Sequence, residues 1–150
     1  MILNSPELIH EDEIPSRYTS DGENINPPFK FVMVPPVAKS LAFIVEDPDA
    51  PAGLWVHWMI WNIPVNTTEI LAGQAPKGIV GLNSSHKNDW DQISPPDEGE
   101  HRYFFKLYAL DIELELDPLT ATRDEFHLAI EGHALKTAEL MCKYKKPEVA

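Results

Sequence analysis

Ser40-Leu-Ala-Phe-Ile-Val-Glu-Asp-Pro-Asp-Ala-Pro-Ala-Gly-Leu-Trp-Val-His-Trp-Met-Ile-Trp-Asn-Ile63 reads as two apolar strands joined by a proline-rich turn. Side chains alternate across a strand, so Leu41, Phe43 and Val45 share one face with Asp47, and Ala42 and Ile44 occupy the other. Val56 to Ile63 is apolar on both faces, as expected of a strand buried on both sides. Proline lacks an N–H and cannot sit inside a central strand, so Pro48 and Pro51 end the first run.

Outward from this stretch the pattern repeats. The pairs Pro27-Pro28, Pro35-Pro36 and Pro95-Pro96 punctuate further apolar runs, Phe29 to Val34 before it and His101 to Leu110, the longest, after it. Ile112, Leu114 and Leu116 alternate with Asp111, Glu113 and Glu115, which predicts a strand with one wet face. After Pro118 the period changes. Thr122-Arg-Asp-Glu125 has the form of a capping box, and Phe126 and Ile130 follow at helical spacing. Gly132 interrupts, and Leu135, Ala138, Met141 and Cys142 predict a second helical stretch. There is no fixed-period repeat and no low-complexity linker. The expectation is one mainly β domain over residues 1–150, with short helices at its C-terminal end.

Composition narrows the function. In 150 residues there are 12 basic and 24 acidic side chains, a formal charge of −12, with a sequence pI of about 4.8. Nucleic-acid binding relies on Lys and Arg to release condensed counterions, so this balance excludes it as a primary role. Adhesion to an anionic membrane surface is disfavoured in the same way. A local anion site remains compatible with the charge, because repulsion fades over roughly 8 Å at physiological salt. The single cysteine, Cys142, rules out an intrachain disulfide framework and a cysteine-rich zinc site. The N-terminus has no basic start and no apolar run, and no stretch approaches the roughly 20 apolar residues that span a bilayer. A cytoplasmic location, without integral membrane association, is expected.

Strand parity then groups the polar residues. Asp47 ends the face of Leu41, Phe43 and Val45; His57 is placed with Met59, Trp61 and Ile63; His101 and Tyr103 lead into Phe105 and Leu107. Three strands thus each carry an apolar face that turns polar at one end. Should they lie side by side, Asp47, His57, His101 and Tyr103 meet at one rim, with an apolar floor and a few fixed polar groups. Taken singly, either histidine reads more readily as a boundary residue hydrogen-bonded to a carbonyl.

Other chemistries leave weaker marks. Asp47, His57 and His101 are formally a two-histidine, one-carboxylate set of the non-haem iron type, but none of their spacings matches a compact metal motif. There is no Gly-x-Ser-x-Gly elbow; Ser84-Ser85-His86 lies in a polar stretch, Gly81 to Asp91, that reads as a solvated loop. Cys142 reads as a small buried thiol on the apolar side of the last helix. No Gly-rich phosphate loop is present. No metal and no cofactor is expected.

Asp47-Pro-Asp-Ala-Pro51 followed by Trp55-Val-His-Trp58, and Pro95-Pro96 leading to Gly99-Glu-His-Arg-Tyr103, resemble in this order the phosphatidylethanolamine-binding protein family. That family includes the Raf kinase inhibitor proteins. Ile14-Pro15, Tyr18-Thr-Ser-Asp-Gly22, Asn26-Pro-Pro28, Trp61-Asn-Ile-Pro64, Tyr108-Ala-Leu-Asp111 and the ending from Gly132-His133 through Ala138-Glu-Leu140 to Tyr144 extend the likeness over nearly the whole chain. The short gap after the first motif is similar to the compact bacterial and archaeal branch. The resemblance implies antiparallel β-sheets packed as a sandwich, and a pocket accepting phosphate, acetate or a phosphoethanolamine head group. Carried over by position, Asp47, His57, His101 and Tyr103 line that pocket, and Trp55, Pro95 and Pro96 form its rim. Two departures stand out: Gln92-Ile93 replaces the Gly-Pro step common before the Pro-Pro pair, and Cys142 replaces a usual glycine. Loss of that glycine is expected to reshape one wall.

The resemblance further implies a non-catalytic regulatory protein that inhibits or scaffolds a kinase or protease. A hydrolase or metal-assisted enzyme using the same pocket is the competing expectation. A homodimer through the apolar segment around Leu54 and Trp55 is compatible with the sequence. In the expected site Asp47 accepts a hydrogen bond from one imidazole, fixing its tautomer so that the other nitrogen meets the ligand. Asp47 also has the alternative role of capping the turn at Pro48 and Asp49.

Overall fold

The computed structural model describes residues 1–147. Its centre is the strand pair read above. β3 (Ser40–Asp47) lies between β4 (Trp55–Ile63) and β7 (His101–Leu110) in a five-stranded antiparallel sheet of order β6-β4-β3-β7-β8, with β6 at Ile79–Val80 and β8 at Ala134–Tyr144. A second, three-stranded sheet has the order β1-β2-β5, formed by Ile2–Asn4, Phe29–Val32 and Glu69–Ile70. A single 3-10 turn, Ser16–Tyr18, follows β1.

The large sheet is apolar on both faces because it is covered on both. Its inner face packs Leu41, Phe43, Val45, Trp58, Ile60, Phe105 and Leu107 against Leu3, Phe29, Phe31 and Ile70 of the small sheet. Phe29 sits 5.1 Å from the Phe43 ring and 5.0 Å from Phe105, tilted to both. Its outer face packs Ala42, Ile44, Met59 and Trp61 beneath α1 (Arg123–Ile130), which contributes Phe126 and Ile130. All eight residues of β3 are buried as a result. The expected β-sandwich is the fold.

The capping box forms: Thr122 Oγ1 accepts from the Glu125 amide at 3.1 Å and starts α1. Beyond Gly132, whose φ is +79°, the structure corrects the reading of a second helix. Residues 134–144 are strand β8, paired with β7 from Leu110↔Ala134 to His101↔Tyr144. Leu140, Cys142 and Tyr144 alternate into the inner core, a period of two that the helical spacing of Leu135, Ala138 and Met141 obscured. Cys142 therefore lies on a strand.

The segment at Ile112–Leu116 is also not a strand. Its alternation is real, with Leu114 buried and Ile112 and Leu116 packed beside the outer core. Its backbone, however, bonds to a side chain in place of a ladder: Asn62 donates to the Leu114 carbonyl at 2.9 Å and accepts from the Leu114 amide at 2.7 Å.

Candidate functional site

At the end of the large sheet where β3 stops and β4 and β7 begin, a cavity of about 300 Å³ opens. Asp47, His57 and Tyr103 line it from the three strands. Ala50, Pro51, Ala52 and Trp55 line it from the β3–β4 connection and the start of β4, and Ser85, Asp91, Gln92, Ser94, Pro95 and Pro96 from the segment before β7. Six of the seven site residues expected from sequence share this cavity. His101 does not line it, and stands behind Asp47 and Tyr103, 2% exposed.

His57 reaches the cavity through a bulge. Val45 pairs with Trp58 but Glu46 pairs with Val56, so His57 is an extra residue on β4. The bulge turns His57 from the outer face, where parity put it beside Met59 and Trp61, toward Tyr103, whose ring centre lies 5.3 Å away. Its Nδ1 is 3.2 Å from the Asp91 carbonyl, and a carbonyl only accepts, so Nδ1 carries the proton and donates. Burial lowers the His57 pKa against the pull of Asp91 and Asp47, favouring the neutral ring. Neutral His57 then holds its lone pair at Nε2.

His101 is the opposite case. Nδ1 lies 2.6 Å from Asp47 Oδ2, and Nε2 lies 2.6 Å from Asp97 Oδ1. Burial opposes the charge, but hydrogen bonds to Asp47 and Asp97 outweigh it and raise the pKa. Two carboxylate acceptors want two N–H donors, which is the imidazolium. The expectation that Asp47 orients an imidazole is met in this geometry. The expectation that the other nitrogen faces a ligand is corrected, because Asp97 takes that nitrogen. Asp47 also caps its turn, with Oδ1 accepting from the Asp49 amide at 2.7 Å.

Tyr103 is a donor. Burial, with the charges of Asp47 and Asp97 adding to it, pushes the phenol far above its ordinary value, so it keeps its proton. The walls are braced by hydrogen bonds. Arg102 Nε and Nη2 each sit 2.9 Å from Asp49, clamping the β3–β4 connection to β7. Asp91 Oδ2 accepts from Trp55 Nε1 and from Ser85 Oγ, both at 2.8 Å.

The polar stretch from Gly81 to Asp91 is thus more ordered than a solvated loop. Asn83 is buried and ties it together, donating to the Asp89 carbonyl and accepting from the Ser85 and Lys87 amides. Gln92 does stand on the cavity wall, while Ile93 is buried in the inner core. Asp91 and Asp97 were missed by sequence reasoning. Neither has an apolar periodicity to place it, and Asp97 at four residues before His101 was the only available hint.

Ser85 has its hydroxyl committed to a carboxylate, and burial pushes the Cys142 thiol up to about 12. Among the described residues, no group of three His, Cys, Asp or Glu side chains is arranged to hold a metal ion. No helix of the described residues is long and apolar enough to cross a membrane.

This β-sandwich has known counterparts. The sequence model of the family described as Phosphatidylethanolamine-binding protein matches residues 4–145. The chain belongs to that family. A UPF0098 protein of Methanothermobacter thermautotrophicus is 48% identical over 89% of this chain and 91% of its own length. Another, from Chlamydia pneumoniae, is 43% identical over 97% of this chain and 99% of its own. The crystal structure of CT736, a phosphatidylethanolamine-binding protein homologue from Chlamydia trachomatis, superposes with a TM-score of 0.91 at 37% identity, covering 97% of each chain. YbcL of E. coli, described as a new member of the mammalian family, superposes with a TM-score of 0.88 at 25% identity, covering 97% of this chain and 98% of its own. The relatives place the chain in the bacterial and archaeal branch.

Proposed function

We propose that this protein is a non-catalytic binder of small oxyanions, phosphate, acetate or a phosphoethanolamine head group, in the cavity between His57 and Tyr103. One observation carries the reading. The Tyr103 hydroxyl makes no side-chain hydrogen bond among the described residues, His57 makes its one contact through Nδ1 and leaves Nε2 free, and both residues line one cavity. They form a donor and an acceptor. A phosphate or phosphomonoester that keeps one O–H complements them, accepting from the phenol and donating to the imidazole, while acetate, which only accepts, needs the proton to sit on His57. Asp47 does not repel such a ligand as a bare charge would, since the His101 imidazolium lies 2.6 Å from it.

Two features support reading the site as a binder without turnover. Ser85 is held by Asp91 away from the role of a nucleophile, and the Cys142 thiol is buried in the core. A regulatory role toward a kinase or protease is the finer reading, supported by the family resemblance. Titration calorimetry with inorganic phosphate from pH 5.5 to 8.5 tests the proposal. Affinity should rise as pH falls, with one proton shared between ligand and His57. Tyr103→Phe should weaken binding by about tenfold or more, the loss of one hydrogen bond to a charged group. Phosphate affinity indifferent to pH and to both Tyr103→Phe and His57→Ala would refute it. Turnover of phosphoesters that is lost in His57→Ala would replace it with the hydrolase reading.

A further inference from the structure

The stretch of chain that leads from the inner core into β7 has few ties. Ile93 is buried, and its carbonyl accepts from the Ser20 amide at 3.0 Å; His101 begins β7. Over residues 94–100, among the described residues, the one hydrogen bond is from His101 Nε2 to Asp97 Oδ1, at 2.6 Å. Pro95, buried, and Pro96, exposed, lie within this stretch and line the cavity. Asp47 holds the other ring nitrogen, so Asp47, His101 and Asp97 form a chain of contacts from the end of β3 to the cavity's rim. The two carboxylates differ in surroundings: the Asp47 side chain is 4% exposed and that of Asp97 is 44% exposed. Other titratable groups around the ring are Tyr103 and Arg102 on its own strand, His57 on β4, Asp49 beyond β3 and bound to Arg102, and Tyr144 on β8, bound to Asp21. Glu98 and Glu100 are exposed on the stretch itself. None of these groups hydrogen-bonds the His101 ring.

We propose that Asp97 is a strap on the cavity's rim: while His101 is an imidazolium it ties residues 94–100, and the Pro95–Pro96 rim with them, to the end of β3, and loss of the Nε2 proton releases them and opens the mouth. The choice of proton follows from the two surroundings. A neutral imidazole has a single N–H to give. Asp47, buried, loses more without a partner than Asp97, which water can solvate, so the remaining proton stays on Nδ1. Asp97 is then free, and with it the one hydrogen bond over residues 94–100 is gone. The mouth is closed from above the carboxylate range up to the His101 midpoint and open beyond it. A ligand in the cavity does not touch His101, which is not among its lining residues; the ring acts only through the rim. The effect on phosphate rests on the oxyanion reading of the cavity, whereas the strap itself does not.

The strap is read first without ligand, by carbon NMR relaxation at the Gly99 Cα, with the His101 ring followed in the same samples. In the wild type Gly99 should be ordered below the His101 midpoint and lose order as the ring titrates, a test that needs no variant. Asp97→Ala should be disordered there at every pH, and Glu98→Gln, which removes a neighbouring charge without touching the hydrogen bond, should follow the wild type. Inorganic phosphate is then the probe of the mouth, its exchange measured by phosphorus NMR on either side of the midpoint. Below it, Asp97→Ala should take up and release phosphate about tenfold faster than wild type with the dissociation constant within about threefold, and above it the two proteins should match. Gly99 order that is indifferent to His101 titration in the wild type, or unchanged in Asp97→Ala, overturns the strap. Loss of order with unaltered phosphate rates, or faster rates matched by Glu98→Gln, overturns its control of the mouth. Absence of phosphate binding in the wild type and both variants overturns the oxyanion reading, while the Gly99 result decides the strap on its own.

Discussion

His57 and His101 are two imidazoles on one side of a sheet with opposite preferences, and the difference is in their partners. His57 meets a carbonyl and an apolar surround; His101 meets two carboxylates. The signs of their contributions to stability are therefore opposite. The raised pKa of His101 gives stability that is fully present below the unfolded value of roughly 6.5 and lost as pH rises through the folded value. The lowered pKa of His57 gives stability present above roughly 6.5 and lost as pH falls through its folded value. Ring-proton NMR should find His101 titrating above the ordinary range and His57 below it, and Asp47→Asn should bring the His101 midpoint down. Coincident midpoints would show that the two environments do not differ as described. At this scale the sequence was partly legible. Parity placed Asp47, His101 and Tyr103 correctly because β3 and β7 pair without interruption from Ser40↔Leu110 to Glu46↔Phe104. It misplaced His57, because one inserted residue inverts every later face and no residue type announces a bulge there.

Elements are joined across the outer face by Glu46. This carboxylate, 2% exposed, lies 2.7 Å from Lys106 Nζ on β7 and 2.7 Å from Arg123 Nε at the start of α1. Burial works to raise its pKa, but hydrogen bonds from Arg123 and Lys106 win and lower it. Glu46→Gln should cost about 3 kcal/mol, the lower end for a broken buried pair, because both cations keep some contact with water. The stability that Glu46 contributes is present above the ordinary carboxylate value of roughly 4.3 and is lost as pH falls through its folded value. Denaturant unfolding across that range should show a shallower acid loss in Glu46→Gln than in wild type. An unchanged slope would mean that Glu46 is not the group responsible. The helix it pins was readable from its capping box and the Phe126–Ile130 spacing. β8 was not. Its first half is exposed and polar enough to suit a helix surface, and it becomes a strand because β7 offers a ladder along its whole length. Tertiary pairing decides such segments, and pairing partners are not written locally.

For the whole molecule, the large sheet is the common wall of two cores. Trp58 points into the inner one and Trp61 into the outer one, three residues apart on β4. β3 cannot leave either core without leaving both, since Phe43 faces the small sheet and Ile44 faces α1. The cavity stands at the end of this wall, and its strand-borne residues Asp47, His57 and Tyr103 are held by the same packing. Unfolding should then be all-or-none. In a variant retaining only Trp58, and in one retaining only Trp61, the fluorescence midpoint should coincide with that of far-UV circular dichroism on the same variant, although one tryptophan senses the sheet–sheet core and the other the helix side. Phe43→Ala should lower both midpoints together, at a cost of about 3–5 kcal/mol for a large ring removed from a fully buried position. Separate midpoints, or a Phe43→Ala effect confined to Trp58, would mean that α1 and its core come apart first. The cavity would then be expected to follow the inner core alone, and phosphate should shift the Trp58 midpoint without moving that of Trp61.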